Sequence, residues 1–325
     1  MALQHDGFTR RGLLGLVAAS AVLPVVPAVA ADRLDVVATT GMIADTVSRI
    51  GGDLVDVTGL MGPGVDPHAY RQTRTDILAM ARADLIVANG LFLEAQLEDV
   101  LGDFSAQTSV LMAADGISRE ELLGHEDYEG KFDPHVWMDP VLWQQVVKAV
   151  ETALGQVAPD AREQFAANAD ALRADLVALD AYSTKVLGSV AEPARVLVTA
   201  HDAFRYFGQA YDWEVAGIQG ISTESEAGLA RIAEVVDMLV SREIGAVFVE
   251  SSVSDRNVRA LIEGAAARGH EVRIGGELYS DAMGAPGTYE GTYLGMIDHN
   301  VTTIAKALGG DAPARGWQGR LAAGS

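Results

Sequence analysis

Cysteine is the residue type that the sequence lacks altogether, since none occurs among its 325 residues. This absence excludes disulfide bonds, zinc sites built from thiolates and catalysis by a thiol nucleophile. It also leaves no N-terminal cysteine to which a lipid anchor could be attached. The remaining composition, with 49% hydrophobic and 6% aromatic residues, is typical of a globular protein with a substantial core.

Basic residues are also scarce. Lysine and arginine together number 24, against 45 aspartates and glutamates, so the formal net charge at pH 7 is -21. A surface of this charge repels phosphate groups, which argues against nucleic acids and anionic lipid headgroups as partners. We therefore expect no nucleic-acid partner. The acidic surface serves either solubility or the attraction of cations, and the sequence leaves both open.

Long apolar runs are confined to the N-terminus. Arg10 and Arg11 precede an apolar stretch at 13–29, which ends in small residues up to Ala30. This order of segments is typical of a secretory signal, and the paired arginines resemble a twin-arginine export signal. We predict that residues 1–30 form this signal, that cleavage occurs near Ala30, and that the mature chain reaches the periplasm without inserting into the membrane.

The alternative for this segment is a membrane anchor, because the apolar stretch is as long as the shortest spanning helices. Pro24 and Pro27 interrupt its end, however, and no stop-transfer pattern follows. These features favour cleavage over anchoring.

Short β-type runs alternate with helical patterns along the rest of the chain. This alternation predicts βαβ units and parallel sheets that are covered on both faces. Strands are predicted at 35–40, 55–60, 85–89, 109–112, 195–199, 214–218, 246–250 and 271–274, and helices at 41–50, 73–82, 91–101, 140–154, 202–211, 224–242, 254–267 and 290–308. The predicted division is an N-terminal α/β lobe at 31–157, a long helix at 158–190, a C-terminal α/β lobe at 191–310 and a tail at 311–325.

The predicted long helix differs in composition from its surroundings. From about 160 to 190 there is no proline and no glycine before Gly188, and apolar residues recur at helical spacing on one face. At 1.5 Å per residue such a helix is about 40 Å long, more than one lobe needs. We interpret it as a rigid spine between the lobes. Two helices with a break near Ala178 are the alternative.

Four residues are candidates for a metal site. His68 and His135 each end an Asp-Pro-His triplet, and proline stiffens the turn that presents the ligand. His201 directly follows a predicted strand, at the carboxyl end where open α/β sheets place their ligand sites. Asp281 lies in a glycine-containing loop after the last predicted strand, which we end near Ile274. Three imidazoles and one carboxylate form a closed tetrahedral set for a borderline divalent cation such as zinc.

Six segments of the mature sequence carry a resemblance to a known family. They are Val36–Asp45, Gly64–His68, Asp133–Pro140, Ala200–Phe207, Gln219–Glu224 and Leu278–Gly284. Through them the chain resembles the zinc- and manganese-specific solute-binding proteins of bacterial ABC transporters. The resemblance implies two α/β lobes bridged by one long helix, a metal held in the interlobe cleft, and delivery of the ion to a permease and its ATPase. We expect a monomer without enzymatic activity.

The residue at position 201 decides the expected metal. Manganese-type members of the family often carry glutamate where this chain has His201, whereas zinc-type members carry histidine. Three imidazoles favour zinc, while manganese prefers oxygen donors in near-octahedral sites. We therefore predict Zn²⁺ as the transported ligand, with Mn²⁺, or both metals, as the alternative.

The other histidines receive structural interpretations. Many zinc-type members have a long histidine- and acid-rich loop before the second ligand, but the matching stretch at 124–130 is short and holds only His125. We interpret this stretch as a solvated acidic loop rather than a loading site. His270 and His299 are interpreted as structural or surface residues.

Two further functional classes remain as alternatives. A metallohydrolase could use the same ligands, but a catalytic zinc normally keeps one position open for water, and the chain has no His-Glu-x-x-His motif. A binding protein for a metal chelate would also have two lobes and a spine helix. The partners of the ligating imidazoles stay open among four nearby aspartates, and two aromatic residues either line the cleft or belong to the core. These residues are Asp66, Asp133, Asp139, Asp202, Trp137 and Phe204.

Overall fold

Short parallel strands form the framework of the protein. The structure, a computed structural model, describes residues 1–2, 33–125, 129–225 and 227–322. Apart from its first two residues, the predicted signal at 1–30 lies outside this part of the chain. The strands are β1 (Leu34–Ala38), β2 (Val55–Gly59), β3 (Leu85–Ala88), β4 (Ser109–Met112), β5 (Val196–Thr199), β6 (Glu214–Gly217), β7 (Ala246–Glu250) and β8 (Arg273–Leu278).

Nine helices connect and cover these strands within the described residues. They are α1 (Gly41–Gly51), α2 (Arg74–Met80), α3 (Glu98–Phe104), α4 (Pro140–Val157), α5 (Arg162–Leu187), α6 (Arg205–Tyr211), α7 (Leu229–Ser241), α8 (Arg256–Ala266) and α9 (Tyr293–Ala307). In the same residues, no helix combines the length and the apolar composition that crossing a membrane requires.

The strands pair within each half of the chain. The first four form one parallel sheet in the order β2-β1-β3-β4. The last four form two parallel pairs, β5-β6 and β7-β8, and β5 packs beside β7. Since β3 and β5 are buried at every position, they read as continuous apolar runs, as strands covered on both faces do. The predicted α/β class with parallel sheets is confirmed.

Side-chain caps fix where several helices begin. Thr40 caps α1 and Thr292 caps α9, each by accepting a backbone N–H of the first turn. Thr73 and Asp76 form a reciprocal capping box at α2. Asp139 caps α4 by accepting the N–H groups of its first turn. Asp139 is therefore a helix cap rather than a partner of a candidate ligand.

The long helix of the prediction is α5, which runs through 26 residues without a break at Ala178. A 3₁₀ turn at Pro159–Ala161 precedes it. Its apolar stripe is buried against α4, α9 and α1. The stripe consists of Phe165, Ala169, Leu172, Leu176, Leu179, Val186 and Leu187. One continuous helix between the two sets of strands thus contacts helices from both halves of the chain.

Strand β8 is longer than predicted, since it continues past Ile274 to Leu278. Glycines at 275 and 276 suggested a loop, but they lie inside the strand. A Cβ built on Gly275 would lie 2.7 Å from the ring of Phe248 and 2.9 Å from the Cβ of Ala307. Glycine is used here for close packing between the strand and its neighbours rather than for a turn.

The helix predicted at 91–101 also differs from the structure. Gly90, Leu91 and Phe92 all have positive φ, so the chain makes a left-handed turn where a helix was expected. The carboxylate of Glu94 holds this turn by accepting the N–H of Gly90 at 3.1 Å. A 3₁₀ turn and α3 follow it. The spacing of apolar residues in this segment does not reveal the turn, because the turn depends on a hydrogen bond from the backbone to the side chain of Glu94.

Candidate metal centre

The four candidate residues converge at one point. His68 lies in the loop after β2, and His135 directly precedes a 3₁₀ turn at Val136–Met138. His201 follows β5, and Asp281 follows β8. Since β8 ends at Leu278, Asp281 lies closer to the end of the strand than the sequence predicted. Each of the four offers one ligand atom, and these atoms all lie within 4.8 Å of one another.

The distances between the donor atoms are those of a small coordination site. Nε2 of His68 and Nε2 of His135 are 3.3 Å apart. Asp281 places Oδ1 3.4 Å from Nε2 of His135 and Oδ2 3.2 Å from Nε2 of His201. Its Oδ2 is 3.9 Å from Nε2 of His68. Both carboxylate oxygens therefore face the space that the three imidazoles surround.

Carboxylates fix the orientation of two of the imidazoles. Nδ1 of His135 lies 2.7 Å from Oδ1 of Asp133, which also accepts the backbone N–H of His135. Nδ1 of His201 lies 2.5 Å from Oε2 of Glu250, whose Oε1 accepts the backbone N–H of His201. Because a carboxylate accepts hydrogen bonds, each Nδ1 donates its proton to the carboxylate, and Nε2 is the nitrogen that faces the centre and is available to bind an ion.

Buried atoms at this point lack hydrogen-bond partners. Within the described residues, Nε2 of His201 and both carboxylate oxygens of Asp281 are buried and make no hydrogen bond. An unpaired buried polar group is costly, and an unpaired buried carboxylate is more so. A divalent cation at this point satisfies all of these atoms at once.

The charges explain the shifted pKa values of the site. Burial lowers the pKa of His135, but the carboxylates of Asp133 and Asp281 outweigh it and raise this pKa to about 9. The pKa of His201 is likewise raised well above its usual range, because Asp281 and Glu250 outweigh the effect of burial. Without a metal, protons on these two imidazoles balance the carboxylates.

His68 behaves differently from the other two imidazoles. Burial lowers its pKa to about 3, and the neighbouring histidines add to this effect while Asp281 opposes it. The side chain of His68 is 5% exposed, whereas the side chains of His135, His201 and Asp281 are 0% exposed. His68 is therefore the candidate ligand at the surface side of the site, and it is neutral.

A buried aromatic pair connects the two halves of the chain beside the site. Nε1 of Trp137 donates to the carbonyl of Ser280 at 2.8 Å, next to Asp281. The hydroxyl of Tyr293 donates to the carbonyl of Trp137 at 2.7 Å, and the N–H of Tyr293 donates to Asp45 at 3.0 Å. The indole of Trp137 also lies edge-on to the ring of His135. Trp137 thus contacts the ring of His135 and is hydrogen-bonded to the residue that precedes Asp281.

The remaining sequence candidates have separate roles. Asp66 accepts the backbone N–H of His68 at 2.9 Å, while Asp202 lies 3.8 Å from Arg205. Phe204 is fully buried in the core. His299 and His270 each place Nε2 near a backbone carbonyl, at 2.9 Å and 2.8 Å, which agrees with a structural interpretation. His125 lies at the surface side of His68, in the same small cavity.

Glu250 was not predicted from the sequence as the partner of His201, although a signal for it existed. This carboxylate ends β7, at the same carboxyl edge of the strands from which His201 and Asp281 project. A buried glutamate at the end of an apolar strand is unusual and indicates a paired role. Its exposed fraction is 4%.

Comparison with known proteins gives the family. Residues 36–307 match the family described as zinc-uptake complex component A, periplasmic. The chain belongs to this family. Members of the family are substrate-binding proteins of metal ABC transporters, which is also the class that the sequence segments indicated.

Individual relatives cover most of this chain. It is 48% identical over 277 residues to the manganese-binding lipoprotein MntA of Bacillus subtilis, and the aligned region covers 85% of this chain and 90% of that protein. It is 46% identical over 273 residues to the zinc-binding protein TroA of Treponema pallidum, over 84% of this chain and 88% of that protein. The solved structure of the periplasmic zinc-binding TroA superposes with a TM-score of 0.83 at 45% identity, covering 85% of this chain and 99% of that one.

Proposed function

We propose that the chain captures a divalent transition metal ion, preferentially Zn²⁺, through His68, His135, His201 and Asp281. The observation that carries this proposal is the cluster of four donor atoms within 4.8 Å of one another. At this site Nε2 of His201 and both carboxylate oxygens of Asp281 are buried without a hydrogen-bond partner, as the interior of an ion site requires.

The spacing of the donors supports zinc. Zinc binds imidazole nitrogen and carboxylate oxygen at about 2.0–2.2 Å, so neighbouring donors of a tetrahedral site lie about 3.3–3.5 Å apart. The separations of 3.3 Å between His68 and His135, 3.4 Å between His135 and Asp281, and 3.2 Å between His201 and Asp281 lie close to this value, while the 3.9 Å between His68 and Asp281 is longer. Three neutral imidazoles also suit zinc better than harder ions.

Manganese is the second candidate, and one feature of the site favours it. Asp281 presents both oxygens to the site, at 3.4 Å from His135 and 3.2 Å from His201. A bidentate carboxylate raises the coordination number above four, which manganese accepts more readily than a closed zinc site does. The two relatives also divide, one being named for manganese and the other for zinc.

Membership of the family supports a role for this capture in a transport system. We propose that the chain hands its ion to the permease and ATPase of an ABC transporter, acting as a monomer in the periplasm after export through residues 1–30. The names of the relatives, a lipoprotein and a periplasmic protein, support a site of action outside the cytoplasm.

Metal content and competition affinity test the proposal. The purified mature chain is dialysed against Zn²⁺ and against Mn²⁺, analysed for metal, and titrated with a chelator of known affinity. We expect one ion per chain, tighter binding of zinc, and an affinity at least about a hundredfold weaker in Asp281→Ala, because a ligand matters at least as much as the residues that orient ligands. Asp103→Ala, at an exposed position of α3, serves as the matched control. If neither Zn²⁺ nor Mn²⁺ binds at one ion per chain, the proposal is contradicted.

A further inference from the structure

One carboxylate joins a candidate ligand to the opposite half of the chain. Oδ1 of Asp66 accepts the backbone N–H of His68 at 2.9 Å. Oδ2 of the same carboxylate accepts the hydroxyl of Thr223 at 2.5 Å. Since Thr223 lies between β6 and α7, this half-buried hydrogen bond crosses between the halves.

The loop that carries Thr223 is fastened to the segment of His201. We call residues 219–225 the Thr223 loop. The N–H of Gln219 donates to the carbonyl of Ala200 at 3.0 Å, and the N–H of Asp202 donates to the carbonyl of Gly220 at 3.2 Å. These bonds flank His201 on both sides. The loop and His201 therefore move together, and the Asp66–Thr223 bond joins the His201 segment to the His68 loop.

The Thr223 loop lies at the surface side of the site. A small cavity there is lined by His68 together with Ser222 and Glu224 of the loop, and by Phe92 and His125. The other candidate ligands have no exposed side-chain surface. An ion that enters or leaves by the shortest path therefore passes His68 and the edge of this loop.

The ties on the two sides of the site differ in strength. Beside Asp281, the bond from Trp137 to Ser280 is buried between large side chains, so breaking it leaves polar groups without water. The Asp66–Thr223 bond is half-buried, and water can replace it. A movement that opens the site would therefore break the Asp66–Thr223 bond more easily than the bond from Trp137 to Ser280.

We propose that the hydrogen bond between Asp66 and Thr223 is a latch that positions His68 over the bound ion and sets the rate at which the ion leaves. The proposal rests on the proposed function, since it assumes an ion at the four-residue site. With the latch closed, the His68 and His201 segments are held at ligand distance. When it opens, His68 is free to withdraw, and the ion loses the ligand nearest the surface.

Dissociation kinetics of isosteric variants test the latch. Zinc-loaded protein is mixed with excess chelator in a stopped-flow instrument, and the rate of zinc release is measured. Thr223→Val removes the hydroxyl at nearly constant volume and should accelerate release about tenfold, equivalent to about 1.4 kcal/mol. Thr223→Ser keeps the hydroxyl and should stay within about twofold of the unmodified protein. Because this bond is present without an ion, Thr223→Val should also lower the melting temperature of the metal-free form. Release rates are therefore compared at a temperature well below the melting temperatures of both variants.

A second bond across the halves supplies the control. Gln96 donates to Glu224 at 3.1 Å at an exposed position and has no bond to Asp66. Gln96→Ala should leave the release rate unchanged, and an acceleration equal to that of Thr223→Val overturns the assignment to Asp66. Release at the original rate from Thr223→Val, or equal rates from the valine and serine variants, also overturns it. If the unmodified protein binds no zinc, the proposed function is refuted instead, so the two failures are distinguishable.

Discussion

At the scale of single residues, the site depends on two carboxylates that are not candidate ligands themselves but orient the imidazoles. Asp133 and Glu250 accept the Nδ1 protons of His135 and His201, and this fixes which nitrogen of each ring faces the centre. The three buried carboxylates of the site, including Asp281, also explain why two imidazoles hold protons when no metal is bound. Orientation and charge balance are therefore supplied by the same side chains.

Replacing Glu250 with glutamine should weaken zinc binding. The carboxylate accepts both the N–H and the Nδ1 proton of His201, whereas an amide offers one oxygen and turns its NH₂ group toward the other donor. We expect the dissociation constant from chelator competition to rise by about 10–100-fold. Glu263→Gln, at an exposed position of α8, should bind zinc normally. Equal affinities for Glu250→Gln and the unmodified protein contradict this role.

Zinc affinity should fall as the solution becomes more acidic. The pKa of His135 is raised to about 9 and that of His201 is raised well above its usual range, so both imidazoles carry a proton that must leave before zinc binds. Lowering the pH below these pKa values strengthens the competition by protons. We expect the affinity to drop by about one to two orders of magnitude per pH unit between pH 7 and pH 5. Competition titrations across this range measure it, and a constant affinity contradicts protonated imidazoles in the metal-free site.

At the scale of elements, α5 carries the packing that joins both halves of the chain. Its buried stripe contacts α1 and α4 from the first half and α9 from the second. The site itself lies at the ends of strands, so the helix supports the geometry without contributing a candidate ligand. Stability and binding should therefore separate when this helix is altered.

Two neighbouring positions on α5 test this separation. Leu176 is fully buried and Val177 is 56% exposed. Leu176→Ala leaves a cavity and should reduce the free energy of unfolding by about 2–5 kcal/mol, whereas Val177→Ala should change it by less than about 0.5 kcal/mol. Denaturant unfolding of the metal-free protein measures both. Zinc stoichiometry should stay at one ion in each variant, and an equal loss of stability at the two positions contradicts the packing of α5.

Much of the elements' order was predictable from the sequence, for identifiable reasons. The apolar runs of β3 and β5 and the apolar stripe of α5 are local patterns, so periodicity predicts them. Two predictions were wrong. A helix was predicted where Leu91 and Phe92 form a left-handed turn, and a strand end was predicted before Gly275, where β8 continues. The turn depends on the carboxylate of Glu94, and the continuation of the strand on close packing against Phe248.

The same distinction applies to the site. His68 and His135 stand in recognisable triplets, and His201 follows an apolar strand, so the sequence singled them out. Glu250 is separated from His201 by 49 residues, and Thr223 from Asp66 by 157. Such pairs are determined by how the halves pack, which no pattern within one segment records.

At the scale of the whole molecule, the two halves are joined both at α5 and beside the site. The bond from Trp137 to Ser280 and those made by Tyr293 connect the halves in the interior. Because of these ties and the continuous spine helix, we expect opening to be limited to the neighbourhood of His68 and the Thr223 loop. The molecule is thus suited to admit an ion by a local movement.

Binding of zinc should change the overall dimensions little. Small-angle scattering profiles of the metal-free and zinc-loaded protein should superimpose, because the interior ties and α5 hold the halves together in both states. A marked compaction on addition of zinc contradicts this expectation and indicates that the halves separate when the ion leaves.

Anomalous diffraction from zinc-loaded crystals, collected at the zinc edge, would locate the bound ion and show whether His68, His135, His201 and Asp281 hold it. We predict one anomalous peak about 2.0–2.2 Å from Nε2 of His68, His135 and His201 and from a carboxylate oxygen of Asp281. A peak at any other group of residues, or zinc-loaded crystals without a peak among these four, contradicts it.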